Sequence, residues 1–317
     1  MDYNLADLFE LVAAAVPERE ALVCDGRSFT FSELDERVNR LAAHLAAGGI
    51  GPGDHVAVFL YNSVEYLETM LAAFKLRAVP INVNYRYGRQ ELGYLLDDAD
   101  ARAIVFHDEL APVLATVLSD LPHLRVKVRV EGLADGSSEA TTSEGRPVLA
   151  AEYEAALGAG RPMTSYGRRS GDDLYVLYTG GTTGMPKGVM WRHEDLFFAA
   201  LGGGGGASGQ PVSTPEELAT RARDNRPTRC LPACPFMHGT AHWMAFAALL
   251  SGGVVVISPD RRFDPVRLWQ LVSEEQVRVL VIVGDAFARP LVEALDTSPL
   301  AAVDVSCCAV VISGGAI

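Results

Sequence analysis

Residues 178–188 read YTGGTTGMPKG, and Tyr178, the first of them, is also the last residue of the apolar run Leu174–Tyr178. Gly180, Gly181 and Gly184 predict a flexible turn whose backbone amides can approach an anion closely. Three threonines add hydroxyl donors, and Lys187 adds one mobile positive charge. Donors and one cation grouped on such a turn indicate a loop that binds the β- and γ-phosphates of ATP. The candidate nucleotide ligands in this loop are Thr179, Gly180, Gly181, Thr182, Thr183 and Gly184.

This phosphate loop, residues 178–188, differs from the Walker A motif, in which Gly-Lys-Ser/Thr leads straight into a helix. Pro186 precedes Lys187 and Gly188 follows it, so neither the helix start nor the magnesium-binding hydroxyl is in place. The pattern therefore favours a loop that closes over ATP. A plain Gly/Thr turn is disfavoured, because residues 181–188 would arise by chance in about one random chain in a million of this length.

Outside the loop, short apolar runs alternate with helical patterns, which predicts an α/β fold of parallel sheets flanked by helices. Ser32 and Asp35 fit a capping pattern at the start of one helix. The polar stretch 131–147 predicts a surface loop. We expect two α/β subdomains, at residues 1–165 and 166–317. The expected strands include residues 56–60, 79–83, 103–106, 174–178, 254–257, 279–283 and 307–312.

Composition excludes several classes of protein. The 317 residues are 49% hydrophobic, so wholesale disorder is excluded. The net charge of −13 disfavours a general binder of nucleic acid or of anionic membranes. The uncharged stretch 231–259 is long enough for a membrane span, but three prolines and a Gly-Gly pair split it into shorter elements. The N-terminus lacks a secretory signal, and five cysteines are no disulfide framework, which predicts a cytoplasmic protein.

Cys230, Cys234, His238 and His242 follow one another at four-residue spacing, which on a helix would form a zinc-binding face. Two prolines lie inside this stretch and would break such a helix. We therefore favour ordinary loop and core residues, and we predict no metal site.

Residues 178–188 resemble the phosphate-binding signature of the adenylate-forming enzymes, which include acyl-CoA synthetases, luciferases and peptide-synthetase adenylation domains. The usual form is Y-T/S-S-G-T-T-G-x-P-K-G, and this chain departs from it at Gly180, where Ser is common. Residues 80–95 resemble the family's N-terminal half. Residues 235–239 (PFMHG) look like its P-x-x-H-G segment at the acyl pocket, and residues 313–316 look like the start of its adenine-binding loop.

Two further stretches, residues 177–195 and 283–291, are similar to actinobacterial acyl-CoA synthetases of fatty acids or steroid side chains. The resemblance implies the N-terminal domain of the adenylate-forming fold. It also implies a two-step reaction, in which a small-molecule carboxylic acid and Mg²⁺·ATP give acyl-AMP, and coenzyme A then takes the acyl group. The cofactors and co-substrates would be ATP, Mg²⁺ and CoA.

The same resemblance assigns roles to individual residues. Lys187 would hold the departing pyrophosphate, and His238 would lie where the carboxylate meets the nucleotide; a hydrogen-bonded core histidine is its alternative. Asp285 would contact substrate, or would cap a helix. His193 would support the loop, although a surface helix position is the favoured interpretation. The adenine-loop candidates are Gly314, Gly315 and Ala316, and the acyl-pocket candidates, which could equally be core residues, are Phe236, Met237 and Trp243.

The chain ends at Ile317, directly after an expected strand, and we expect it to be the N-terminal part of a longer enzyme. The family's small C-terminal domain, with its catalytic lysine, would follow, so the chain alone is expected to be inactive or severely impaired. Two alternatives stay open: a naturally short, non-catalytic module that binds nucleotide or acyl chains, and a ligase that passes the acyl group to a carrier protein. A homodimer also stays open, because one sequence shows no self-complementary surface.

Overall fold

The computed structural model describes residues 2–132, 148–180, 184–205, 209–296 and 298–314. All but the first two residues of the expected surface loop 131–147 lie outside this range. The described residues form eleven α-helices and thirteen β-strands. The helices are α1 Leu5–Ala15, α2 Phe31–Ala47, α3 Val64–Lys75, α4 Arg89–Asp98, α5 Ala111–Ala115, α6 Tyr153–Gly158, α7 His193–Ala200, α8 Pro215–Asp224, α9 Gly239–Leu250, α10 Pro265–Glu274 and α11 Asp285–Leu295.

The strands form two sheets, and most neighbouring strands run parallel, which confirms the predicted α/β class. The seven-stranded sheet has the order β7-β6-β5-β3-β4-β8-β9, and the six-stranded sheet has the order β13-β12-β10-β11-β1-β2. Two pairs are antiparallel, β8 with β9 and β1 with β2. The strands are β1 Glu20–Cys24, β2 Arg27–Thr30, β3 His55–Phe59, β4 Val79–Asn82, β5 Ala101–His107, β6 Val126–Val130, β7 Ala151–Glu152, β8 Leu174–Thr179, β9 Lys187–Arg192, β10 Arg229–Pro232, β11 Val254–Ile257, β12 Val279–Ile282 and β13 Val310–Ser313.

The membership of the two sheets does not follow the chain order. Strand β1 pairs with β11 in the six-stranded sheet and β2 pairs with β1, whereas β8 and β9 extend the seven-stranded sheet from β4. The division expected between residues 165 and 166 therefore does not coincide with the division between the sheets. As a statement about subdomains, that boundary stays a prediction.

One core joins the two sheets. Buried residues of α1, α3 and α9 pack together with residues of β3 and β8 on one side and of β11 and β12 on the other. Helix α3 is buried at eleven of its twelve positions, including Glu68 and Lys75. Because buried charges are costly without partners, both must be paired inside the fold.

Two expected boundaries are wrong in detail. Helix α2 begins at Phe31, and its capping box is formed by Thr30 and Glu33 instead of Ser32 and Asp35. The Thr30 hydroxyl accepts a hydrogen bond from the Glu33 amide, and the Glu33 carboxylate accepts one from the Thr30 amide. This pair prevails because β2 extends to Thr30 and leaves the helix to start directly after it. Likewise, the last strand begins at Val310 and not at residue 307.

The helices in the described part of the chain are short, the longest being α2 with 17 residues. None of them is long and apolar enough to cross a membrane. The uncharged stretch 231–259 becomes strand β10, helix α9 and strand β11.

Candidate active site

The phosphate loop joins two antiparallel strands. Strand β8 ends at Thr179, and β9 begins at Lys187, which pairs with Thr179 in the register of the sheet. Lys187 therefore starts an exposed strand and not a helix, which confirms that the loop is not of the Walker A type. A side chain at Gly188 would not fit, because its Cβ would lie 2.9 Å from Val176 Cγ1 and 3.1 Å from the Tyr178 ring.

Asn82, at the carboxyl end of β4, ties this loop to a second segment. Its side-chain carbonyl accepts a hydrogen bond from the Tyr178 amide at 2.7 Å. Its side-chain amide donates to the Tyr178 carbonyl at 2.8 Å and to the Met237 carbonyl at 2.7 Å. The strand that enters the phosphate loop and the residue before His238 therefore share one buried side chain.

The segment that carries His238 is held from a second side as well. Asn62 accepts a hydrogen bond from the Phe236 amide at 2.6 Å and donates one to the Cys234 carbonyl at 3.0 Å. His238 occupies the N-cap position of α9, and its side chain is exposed. Burial of part of the ring, and then the positive charge of Arg86, lower the pKa of the His238 imidazole. This shift favours the neutral imidazole.

The carboxyl end of β13 approaches the start of α9. The Gly314 amide donates to the Ile282 carbonyl at 3.1 Å, and the Gly284 amide donates to the Ser313 hydroxyl at 3.0 Å. A Cβ at Gly314 would lie 2.6 Å from Thr240 Cγ2, so only glycine fits this approach. The fold thus brings together the phosphate loop, the start of α9 with His238, and the start of the predicted adenine loop. All three lie at carboxyl ends of sheet strands or beside them, where open α/β sheets bind ligands.

Comparison with known proteins identifies the family. Residues 9–317 match the family described as AMP-binding enzyme. The chain belongs to the AMP-binding enzyme family. It is 42% identical over 296 residues to a 3-oxocholest-4-en-26-oate--CoA ligase of Rhodococcus rhodochrous, with 93% of this chain and 52% of that protein covered. It is 40% identical over 292 residues to a medium/long-chain-fatty-acid--CoA/3-oxocholest-4-en-26-oate--CoA ligase of Mycobacterium tuberculosis, with 92% and 52% covered.

The fold agrees with this assignment. The crystal structure of the anthranilate CoA ligase AuaEII in complex with anthranoyl-AMP matches with a TM-score of 0.80 and 21% identity, over 99% of this chain and 55% of that one. The predicted resemblance to adenylate-forming enzymes, and to actinobacterial fatty-acid and steroid acyl-CoA synthetases, is confirmed. The chain spans about half the length of the curated relatives it matches.

The structure describes part of the predicted nucleotide-site residues of this member of the AMP-binding enzyme family. Thr179, Gly180, Gly184 and Lys187 are exposed around the phosphate loop, and Gly314 lies against Thr240. The roles of these residues stay predictions. Five further candidates lie outside the described residues: Gly181, Thr182, Thr183, Gly315 and Ala316.

The acyl-pocket candidates differ in their exposure. Phe236 and Met237 are buried, and the Phe236 ring packs 5.5 Å from the Tyr66 ring. Trp243 is half-buried, and its indole nitrogen donates to the Tyr175 hydroxyl at 3.0 Å. Core packing, the alternative expected for these residues, therefore describes Phe236 and Met237 in this structure. Their contact with an acyl chain stays a prediction.

Two expectations about other site residues are wrong. Asp285 is not the cap of α11, because Gly284 takes that position and Asp285 begins the helix, exposed and paired with Arg289 at 2.8 Å. His193 is not on the surface. It starts α7 fully buried, and its Nδ1 accepts a hydrogen bond from the Leu5 amide at 3.3 Å, because α1 covers it. A substrate contact by Asp285 stays a prediction.

The set of Cys230, Cys234, His238 and His242 does not form one face. Cys230 lies on β10, and burial raises the pKa of the Cys230 and Cys234 thiols to about 12. The His242 ring contacts the Phe236 carbonyl at 2.6 Å and the Tyr175 hydroxyl, so it is the hydrogen-bonded core histidine of this region. Within the described ranges, no group of three or more His, Cys, Asp or Glu side chains could hold a metal ion.

Asn62 and Asn82 are the site residues that sequence reasoning missed. Asn82 lies within residues 80–95, which resemble the family's N-terminal half, but the sequence assigned it no role. The available signal was a polar amide at the end of an apolar strand run, since such a group is buried only when it is hydrogen-bonded. Its partners could not be read from the sequence, because they lie 96 and 155 residues away.

Acid is expected to destabilise the fold through His193 and His242. Burial lowers the pKa of both imidazoles to about 4, below the value of about 6.5 for unfolded histidine. Their contribution to stability is therefore present above about pH 6.5 and is lost as the pH falls towards 4. Each should lower the free energy of unfolding by ~1.4 kcal/mol per pH unit in this window. Urea denaturation across it measures the slope, and an unchanged slope in His242→Gln would contradict the assignment.

Proposed function

We propose that this chain is the N-terminal portion of an ATP-dependent acyl-CoA synthetase acting on a fatty acid or a steroid side-chain acid. One observation carries the proposal: the phosphate loop, the His238 segment and the start of the adenine loop meet around the N-terminus of α9. The names of the relatives in Rhodococcus and Mycobacterium support the choice of acids. The proposed reaction converts the acid and ATP to acyl-AMP and pyrophosphate, and CoA then displaces AMP.

In the first step the protein supplies position and charge. Lys187 and the loop amides would hold the β- and γ-phosphates and neutralise charge on the departing pyrophosphate. The neutral His238 would lie beside the carboxylate that attacks the α-phosphorus, and Gly314 would lie on the adenine side, packed against Thr240. Mg²⁺ would be bound through the phosphates of ATP, and none of the described residues is assigned to it.

We also propose that the 317-residue chain alone forms little acyl-CoA, because it covers only 52% of the relatives' length. A cytoplasmic setting suits the reaction, and it is supported by the five cysteines, all of which are free. Mass spectrometric assay of acid-dependent acyl-CoA formation by the isolated chain tests the first statement. Turnover at the rate typical of enzymes, about 1 to 1,000 per second, would overturn it.

The ATP site can be tested directly on this chain, because the sequence contains three lysines: Lys75, Lys127 and Lys187. Lys75 is buried, Lys127 is half-buried, and Lys187 is exposed. An amine-acylating reagent should therefore modify Lys187 first, and Mg²⁺·ATP should protect it by about tenfold if the phosphates cover the ammonium group. Peptide mass spectrometry reads each lysine separately, with Lys127 as the internal control. Equal labelling of Lys187 with and without ATP would contradict the proposed site.

A further inference from the structure

We propose that Asn82 is a positioning residue that couples the phosphate loop to the His238 segment, so that the two parts of the site move together. The inference rests on the proposed function for its catalytic meaning. Asn82 is 7% exposed and makes three hydrogen bonds, all to backbone atoms, two on Tyr178 and one on Met237.

The position of Asn82 explains why a side chain is needed there. The parallel register of β4 with β8 is the single pair Ile81 with Val176, so backbone pairing has ended before Tyr178. On its other side, Tyr178 pairs with Gly188 of β9. The Asn82 amide therefore takes the place of the missing β4 backbone and holds both the amide and the carbonyl of Tyr178. The last residues before the phosphate loop are thus held from both sides.

The chemistry of the amide makes the link specific. Its carbonyl faces an N–H group and its NH₂ faces two carbonyls, so a flipped amide would oppose donor to donor and acceptor to acceptor. Aspartate cannot donate to the two carbonyls, and leucine offers no hydrogen bond at all. Met237 immediately precedes His238. A shift of the Tyr178 backbone therefore moves the planar Asn82 amide, and this amide in turn moves the Met237 backbone beside the candidate catalytic histidine.

Asn62 provides a matched control. It also uses its amide to hold backbone atoms of the His238 segment, at Cys234 and Phe236. It makes no contact with β8 among its hydrogen bonds in the described part of the chain. Loss of Asn62 should therefore loosen one segment, whereas loss of Asn82 should loosen two.

Hydrogen exchange followed by mass spectrometry tests the coupling without ATP. In Asn82→Ala, we expect exchange to rise about tenfold both in peptides that contain residues 176–180 and in peptides that contain residues 235–240, the size of effect that follows from losing buried hydrogen bonds. In Asn62→Ala, the rise should be confined to residues 234–240. If Asn82→Ala raises exchange in one segment alone, the inference is overturned. Should Asn82→Ala fail to fold, Asn82→Ser, with its shorter polar side chain, is measured by the same criterion.

ATP affinity of the same variants separates this inference from the proposed function. If the wild-type chain binds ATP, Asn82→Ala should weaken ATP binding by about tenfold. Asn62→Ala should weaken it less. Equal ATP affinity of wild type and a folded Asn82→Ala would overturn the positioning role. If wild type itself binds no ATP, the proposed nucleotide site is wrong, and the exchange data alone decide whether Asn82 couples the segments.

Discussion

Replacing Arg37 by leucine is expected to lower the free energy of unfolding by ~3–5 kcal/mol, the range for removing one partner of a buried ion pair. Glu68, on the buried helix α3, is fully inaccessible, and it accepts hydrogen bonds from Arg37 Nε at 2.5 Å and from the Tyr153 hydroxyl at 2.7 Å. Burial raises the pKa of the Glu68 carboxyl even with Arg37 in place. Without that cation, the charged carboxylate loses its main partner.

The stability lost in Arg37→Leu should depend on pH. A protonated Glu68 needs no cation, so the deficit of Arg37→Leu relative to wild type should shrink as the pH falls through the raised pKa of Glu68 and grow as the pH rises. Urea denaturation of both proteins over a series of pH values measures this deficit. Glu68→Gln in the Arg37→Leu background should recover part of the loss at the higher pH values.

Arg40→Leu is the matched control for Arg37→Leu. It removes an arginine from the same helix. Arg40 forms a partly exposed i,i+4 ion pair with Glu36 at 2.6 Å. Such pairs contribute about 0.3–0.5 kcal/mol. If the two arginine variants lose the same stability, the buried carboxylate of Glu68 does not depend on Arg37.

Replacing Lys187 by alanine is expected to lower acid-dependent pyrophosphate release by about 10²–10³-fold, the range for removing one group that stabilises charge in a transition state. The substitution is introduced into the gene in its native host, and the variant protein is purified from that host. Lys187 is exposed at the first position of β9, opposite Thr179. It makes no ion pair with any residue that the structure describes. Its removal therefore affects the loop's charge without breaking the fold.

Lys127→Ala serves as the control, because it also removes one lysine cation. Lys127 lies on β6 and donates to the Leu124 carbonyl at 2.8 Å, and three strands, β5, β3 and β4, separate β6 from β8. Its loss should leave pyrophosphate release within about twofold of wild type, since charges at such a distance are largely screened. Rates within that range for Lys187→Ala, at unchanged melting temperature, would remove Lys187 from the proposed mechanism.

The elements near the phosphate loop were predictable because their signals are local. Leu174–Tyr178 is an apolar run followed by Thr179 and two glycines, and the structure has a strand there that ends at Thr179. The capping box was placed two residues too late because two overlapping patterns fit the sequence, and the end of β2 at Thr30 decided between them. Patterns of two to four residues set element types well, and they set boundaries less well.

The histidines show where local reasoning fails. The sequence favours a surface helix position for His193 and ordinary loop or core packing for His242, yet both are buried with a pKa of about 4. Their burial depends on which elements cover them: α1 lies over His193, and Tyr175 of β8 lies beside His242. The exposure of His238 likewise follows from its place at the start of α9. No spacing within the sequence encodes these contacts.

By itself, the sequence determined the α/β class, the phosphate loop and the family, because each depends on residue types that are adjacent or regularly spaced along the chain. Tertiary structure alone decided that strands from the first and last parts of the chain share one sheet, and that Glu68 lies buried beside Arg37. It alone also decided that Asn82 joins Tyr178 to Met237. These contacts join residues 31 to about 230 positions apart. They form only once the sheets have packed, because a buried polar group is stable only beside its hydrogen-bonding partner.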